Sequence, residues 1–444
     1  MTIINLNKHP VLRKNSVLLL FLAAALLSCR SVKPNQIIKM PPPAVMDDET
    51  YNPFEQGAVI QNPERLPLLY ATNRVPAGEE DKEPYYSGRR SELVHLGISG
   101  IGVAGEGKTW DDMTRITETR NSGKNPLLEV QDVTEFGILE RSVSPFTSPA
   151  ERRMISPSGT ERFLVELRSQ LAQTSSNDVI IFVHGYNVNF ENPLLVAAQL
   201  WHYLGYRGSF IAYSWPSTPR GTAYLKDLDT AAYSARSFRV FLDFLAEQDE
   251  VENIHILGYS AGTRLVTQTL YQKALQMDEI PSKDAQLKTK LDTVILSNSD
   301  MDRGLFGTYL LDGQLNILNR MSLYSSSKDV VLMGSRTLHS APRMGQTLSR
   351  EEIDDEIINY FQFNRKIDII DVSDAEQVTS NSGHFYFLES PWVSSDVLLS
   401  LLTDLKPHER GLELHPDLPI WVFPEDYIER SRLHLDYLGG VFKE

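Results

Sequence analysis

A single cysteine in 444 residues, Cys29, rules out any disulfide within the chain. Positive charge is also scarce: 43 Lys and Arg stand against 58 Asp and Glu, a formal balance of −15. A polyanion of this kind is repelled by nucleic acid and by anionic bilayers, which excludes both as electrostatic partners. The histidines form no HExxH pair and no close pairing with cysteine, so no metal is expected, and no cofactor either. No internal repeat is present. The apolar run Val17 to Leu27 holds 11 residues, the length of a signal-peptide core and too short to cross a bilayer of about 30 Å as a helix.

Lys8, Arg13 and Lys14 precede that run and Leu26-Leu27-Ser28-Cys29 ends it. Residues 1–28 therefore read as a removable signal, and losing its three positive charges and no acid leaves a balance of −18. The ending resembles the lipobox of bacterial lipoproteins, whose cysteine is acylated and becomes the first residue of the mature chain. That resemblance implies a lipid on Cys29 and a protein anchored to a membrane of the bacterial cell envelope. Arg30, rather than aspartate, follows the cysteine, which by the same resemblance favours the outer membrane or its periplasmic face. An ordinary secretory signal followed by a chance cysteine is the alternative. Residues 29–65 carry Pro34, Pro41-Pro42-Pro43, Pro53 and Pro63 with little apolar periodicity, and read as an extended tether that keeps the body off the membrane.

The body is expected over 66–444, where a 41% hydrophobic composition suffices for a large core. Leu66 to Ala71 reads as a strand, and Pro76 to about Asn125, rich in Gly, Ser and charge, as loops and short elements. After Asn177 short β-branched or aromatic runs alternate with longer helical ones. The runs are Val179–Val183, Ser209–Ser214, Ile254–Leu257, Thr293–Leu296, Met321–Tyr324 and Ile367–Val372. Asn192–Leu204, Tyr224–Glu247, Ala261–Gln276 and Ser394–Leu405 carry apolar residues at helical spacing. The alternation predicts an α/β fold, a mostly parallel central sheet with helices on both faces.

Gly258-Tyr259-Ser260-Ala261-Gly262 is the one GxSxG of the chain and stands between a predicted strand and a predicted helix. A serine on so sharp a turn is held in strained backbone geometry, small residues on either side let strand and helix approach, and the helix start aims free amides at the reacting centre. Ser260 is the candidate nucleophile. The oxyanion of acyl transfer needs two backbone donors; these are assigned to Ala261, next to the serine, and Tyr186, in the His184-Gly185-Tyr186-Asn187 turn after an earlier strand. His184 itself is read as a loop-shaping residue. With this type of turn the chain order is serine, acid, histidine, which keeps His339, His384, His408, His415 and His434 eligible; His384, just past the last predicted strand, is the preferred base. Two strands end in aspartate, so Asp329 is the preferred acid and Asp300 the alternative.

Tyr70-Ala71-Thr72-Asn73-Arg74, the HGYN turn, Ser214-Trp215-Pro216-Ser217 with Tyr224 and Asp227, the serine turn, Asp300, Ser325 to Asp329 and Gly383-His384 together resemble a poorly characterised family of bacterial α/β hydrolases, over about Leu66 to Phe387. Relatives of this kind look like serine esterases or lipases by their triads. The resemblance implies the α/β-hydrolase fold, cleavage of carboxylic esters through an acyl-enzyme on Ser260, and a small-molecule or lipid ester as substrate. Ala261 replaces the methionine common in the wider superfamily, a change that leaves its backbone amide in place. The alternative from another class is an idle scaffold of this fold that binds a partner in the envelope. Trp215 and Pro216 are read as core packing, Arg74 as the anchor of a structural carboxylate or of substrate, and Met301 to Asn319 as either a cover over the site or a core-packed helix.

Overall fold

The computed structural model describes residues 35–47, 53–54, 64–118, 126–376, 378 and 382–432; Cys29 and the signal segment 1–28 lie outside the described residues. In chain order the strands are β1 (Gln36–Ile38), β2 (Leu66–Pro76), β3 (Tyr86–Val103), β4 (Leu127–Ile138), β5 (Val179–Val183), β6 (Ser209–Ser214), β7 (Ile254–Tyr259), β8 (Leu291–Ser297), β9 (Leu318–Ser325), β10 (Ile367–Asp371), β11 (Glu413–Leu414) and β12 (Trp421–Val422). They form one 12-stranded sheet in the order β1-β4-β3-β2-β6-β5-β7-β8-β9-β10-β12-β11. Every pairing from β2 through β12 is parallel, while β1, β4 and β3 join β2 antiparallel and β11 closes the far edge antiparallel.

The α-helices are α1 (Asp111–Glu118), α2 (Pro149–Arg153), α3 (Pro157–Leu171), α4 (Glu191–Tyr203), α5 (Tyr224–Ala246), α6 (Gly262–Gln276), α7 (Ser282–Thr289), α8 (Arg303–Leu311), α9 (Val330–His339), α10 (Asp355–Phe363), α11 (Tyr386–Glu389) and α12 (Pro391–Leu402). They cover both faces because the central strands are apolar on both. In β5, Ile181 and Val183 join a core with Phe163 of α3, Phe238 of α5 and Leu265 of α6, while Ile180 and Phe182 join another with Leu194 of α4 and Val397 of α12. The strands expected after Asn177 are all present, several longer by one to three residues at an end. No helix among the described residues is long and apolar enough to cross a membrane.

Two segments differ from their sequence reading, and a third takes one of the two forms left open for it. The stretch 76–125, expected to be loops, contains β3, the longest strand, and α1. Its glycines concealed it: a Cβ on Gly97 would overlap the Tyr70 hydroxyl of β2, so glycine here serves close packing of a large neighbour within the sheet. The supposed tether is docked over residues 35–46. Ile38 pairs with Leu127, Met40 N donates to Gln199 Oε1 at 2.6 Å, Tyr203 Oη donates to the Met40 carbonyl at 3.0 Å, and Val45 is buried. Ile37, Ile38, Met40, Val45 and Met46 bury apolar surface too sparsely spaced among prolines to show a period. The third is the segment 301–319: Met301, Phe306 and Leu310 lie in the core and α8 packs against α6, so this is a core-packed helix and not a cover.

Two histidines of the core make stability depend on pH. Burial, with the Arg74 charge near His184 and the Lys39 charge near His202, holds both rings well below the ordinary 6.5. Below pH 6.5 the unfolded chain binds protons that the folded chain refuses, so stability present above that pH is lost as pH falls. The thermal midpoint is expected to drop by several degrees between pH 7.5 and pH 5.5 in differential scanning fluorimetry, and a midpoint that stays flat over this range contradicts neutral burial.

Candidate active site

β7 ends at Tyr259 and α6 starts at Gly262, which leaves Ser260 on the turn with φ of 51°, in the left-handed region. The turn is held by its neighbours. Ser260 N donates to the Ser297 carbonyl at 3.0 Å, and Thr263 returns its amide and hydroxyl to the Ser260 carbonyl at 3.0 and 2.6 Å. Gly262 is required by space alone, since a Cβ there would overlap the His184 carbonyl oxygen. Gly262→Ala is therefore expected to push the turn after β5 away from Ser260 and to lower the thermal midpoint measurably.

Ser260 Oγ lies 2.9 Å from His384 Nε2, and His384 Nδ1 lies 2.7 Å from Asp329 Oδ2. All three side chains are buried. A carboxylate only accepts, so Nδ1 carries the ring proton and Nε2 is free to accept from the serine hydroxyl. Asp329 is fixed at both oxygens: Oδ2 also accepts from Asn298 Nδ2 at 3.1 Å, and Oδ1 accepts from Leu332 N at 3.0 Å as the N-cap of α9. The histidine loop is pinned by Val330 N donating to the Ser382 carbonyl at 3.1 Å and Tyr259 Oη donating to the His384 carbonyl at 2.9 Å.

Asp300 stands elsewhere. It accepts from Tyr224 Oη at 2.7 Å, Ser335 Oγ at 2.5 Å and Arg264 Nε at 3.1 Å, a network beside α6 that leaves it no bond to His384. Burial alone pulls the Arg264 guanidinium down, but Asp300 and Tyr224 together outweigh it and the net shift is upward. Asp300→Asn should therefore cost stability more than turnover, a ranking that thermal midpoint and kcat measured on one preparation would check.

The turn after β5 lies against the serine: a Cβ built on Gly185 would stand 3.0 Å from Ser260 Cβ and 3.4 Å from its Oγ. Tyr186 follows and lines the cleft, its phenol pushed up to about 12 by burial and by the charges of Asp300 and Asp227. Ala261 precedes α6, where first-turn amides have no intrahelical acceptor. His184 stacks on Trp215 with ring centroids 5.1 Å apart, and its nitrogens face the Gly185 and Trp215 carbonyl oxygens at 2.7 and 3.1 Å. Trp215 closes the pair by donating from Nε1 to the His184 carbonyl at 2.6 Å; both side chains are buried, Trp215 in the core and His184 beside the cleft.

Arg74 is fully buried and its partners correct the expected carboxylate anchor. Its donors reach Ser214 Oγ at 3.0 Å and the carbonyls of Ser217 and Val188 at 3.0 and 3.1 Å, so it fixes the backbone that follows the HGYN turn. Burial lowers the guanidinium to about 10, against the pull of Glu191 and Asp227.

A cleft of about 740 Å³ opens over Ser260 and His384. Phe182, Tyr259, Phe385, Phe387 and Leu388 give it an apolar lining, and Val331 of α9 contributes at one side. Asn35, Ile37 and the turn Lys82–Pro84 also line it. Those five residues come from the segments read as tether and loop, and nothing local in the sequence marks them. Asn298 was passed over too, although an asparagine at a strand end, here with φ of 51°, is a residue type suited to that conformation. Among the described residues no group of three or more His, Cys, Asp or Glu is placed to hold a metal ion.

A family model described as "Alpha/beta hydrolase of unknown function (DUF900)" matches residues 161–402, which takes in β5 to β10 together with Ser260, Asp329 and His384 and leaves out β1 to β4. No curated protein and no solved structure matches.

Proposed function

Since the chain belongs to this family of alpha/beta hydrolases of unknown function, we propose that it is a serine hydrolase cleaving carboxylic esters through an acyl-enzyme on Ser260. The observation that carries the proposal is the unbroken series Ser260 Oγ, His384, Asp329 at 2.9 and 2.7 Å at the floor of an apolar cleft. Ser260 Oγ attacks the ester carbonyl as its proton passes to His384 Nε2. The amides of Ala261 and Tyr186 receive the oxyanion, and the Asp329 carboxylate stabilises the imidazolium. Collapse breaks the acyl–oxygen bond, and His384 gives its proton to the leaving alcohol. Water then attacks the acyl-enzyme, His384 takes a proton from it, and the free acid leaves with Ser260 restored.

A fluorophosphonate probe tests this directly. Its phosphonyl group is expected on the peptide that contains Ser260, seen by mass spectrometry. Folded protein that takes up no probe is instead an idle scaffold, and the hydrolase reading fails.

Location belongs to the same proposal. A lipid on Cys29 holds the protein at a membrane of the envelope, where several acyl chains together give stable anchoring. Cys29→Ser should appear in the soluble fraction or keep its signal attached. A variant that stays in membranes at the processed size overturns the anchor.

A further inference from the structure

Asn35, with which the described residues begin, belongs to the cleft. Its carbonyl accepts from Val130 N at 3.2 Å, and β1 follows it directly into the sheet. Only five residues, six Cα steps, separate Asn35 from Cys29. Fully extended, they reach about 20 Å, whereas a compact body of this length is roughly 55 Å across. A lipid on Cys29 therefore cannot hold the molecule by its far side. Such a lipid keeps Asn35, and with it the face that carries the cleft, close to the bilayer.

That face has the chemistry for it. Val331 lines the cleft, and on the same first turns of α9 Val330 and Met333 are 47% and 46% exposed, so the apolar lining continues outward onto the surface. We propose that this face rests on a lipid bilayer and that the ester cleaved at Ser260 is carried by a lipid of that bilayer. The proposal deepens the esterase reading above and rests on it and on the acylation of Cys29. Hydrolysis adds one water across the acyl–oxygen bond, releasing a fatty acid and the alcohol of the remaining lipid, and needs no other reactant.

The test uses the full, acylated protein in phosphatidylcholine vesicles. With Cys29 acylated, confirmed by mass spectrometry, Met333→Cys carries the one free thiol, which takes an environment-sensitive fluorophore. Lipid-borne doxyl quencher is expected to quench it several-fold more than the same dye on Leu287→Cys of α7, which lies before β8, at the opposite ends of the strands. Equal quenching at the two positions, or an unmodified Cys29, overturns the orientation. No quenching on vesicles, with the dye shielded on native envelopes, assigns the face to a protein partner and overturns it as well. Met333→Asp should lower turnover of a vesicle-borne long-chain ester about tenfold and leave a soluble acetyl ester within twofold; unchanged vesicle turnover overturns the lipid substrate. Wild type that cleaves neither ester removes the esterase reading, while the quenching result still decides the surface by itself.

Discussion

Replacing Ser260 by alanine is expected to lower turnover of a p-nitrophenyl ester by about 10⁵-fold or more, a loss of roughly 7 kcal/mol of transition-state stabilisation. The size follows from the way the three side chains act as one unit. Without the hydroxyl, His384 has no proton to accept and Asp329 no imidazolium to stabilise, so what survives is binding and the amide donors. The backbone of the same residue makes a second, opposite forecast. With φ of 51° at position 260, alanine is as strained as serine, whereas glycine enters this region freely. Ser260→Gly should therefore be as inactive as Ser260→Ala yet melt higher, by an amount matching about 1 kcal/mol. Residual turnover near that of wild type in either variant moves the nucleophile elsewhere.

Removing the acid is the next largest effect. Asp329→Ala should reduce kcat by about 10⁴-fold, because an unpaired His384 loses both its fixed tautomer and the charge opposite it. It also removes the N-cap of α9, which costs about 1 kcal/mol of stability. Asp329→Asn is expected to retain more activity than Asp329→Ala, for a reason specific to this site. The Asn298 amide and His384 both donate toward the Oδ2 position, so the new side chain turns its oxygen there and its nitrogen toward Leu332 N, keeping the tautomer and losing the cap. Steady-state kinetics on the two variants checks the order, and the assignment of the acid fails if Asp300→Asn proves the more damaging change.

The parallel half of the sheet was legible because its strands are short, apolar on both faces and separated by helices with their own period. Val179–Val183 and Ser209–Ser214 match their expected bounds residue for residue. The antiparallel half was not. β3 carries four glycines along its length, and its residues Arg89 and Arg90 face solvent, so neither an apolar run nor a clean alternation survives. β1 is three residues set among prolines and owes its place to β4 and α4, partners far away in sequence. For the site the same distinction holds. Ser260 follows directly on β7, Asp329 lies on the turn after β9 and His384 on the loop after β10, an order of strand and loop that the pattern reveals, and the structure brings them within hydrogen-bond distance. Asn35 and Lys82–Pro84 reach the cleft only through the folded path of the chain, and no spacing rule encodes that.

The two ends of the sheet are very short, three residues in β1 and two in β11. Without β1, the edge would be β4, 12 residues of backbone with a free row of donors and acceptors. β1 pairs only with Leu127 to Glu129, and beyond it β4 carries Gln131, Asp132 and Glu135. Past the short β1 pairing, the β4 edge presents polar and charged side chains rather than an apolar stripe, which disfavours addition of a strand from a second copy. Crowded copies are therefore expected to resist the edge-to-edge strand pairing that begins a fibre.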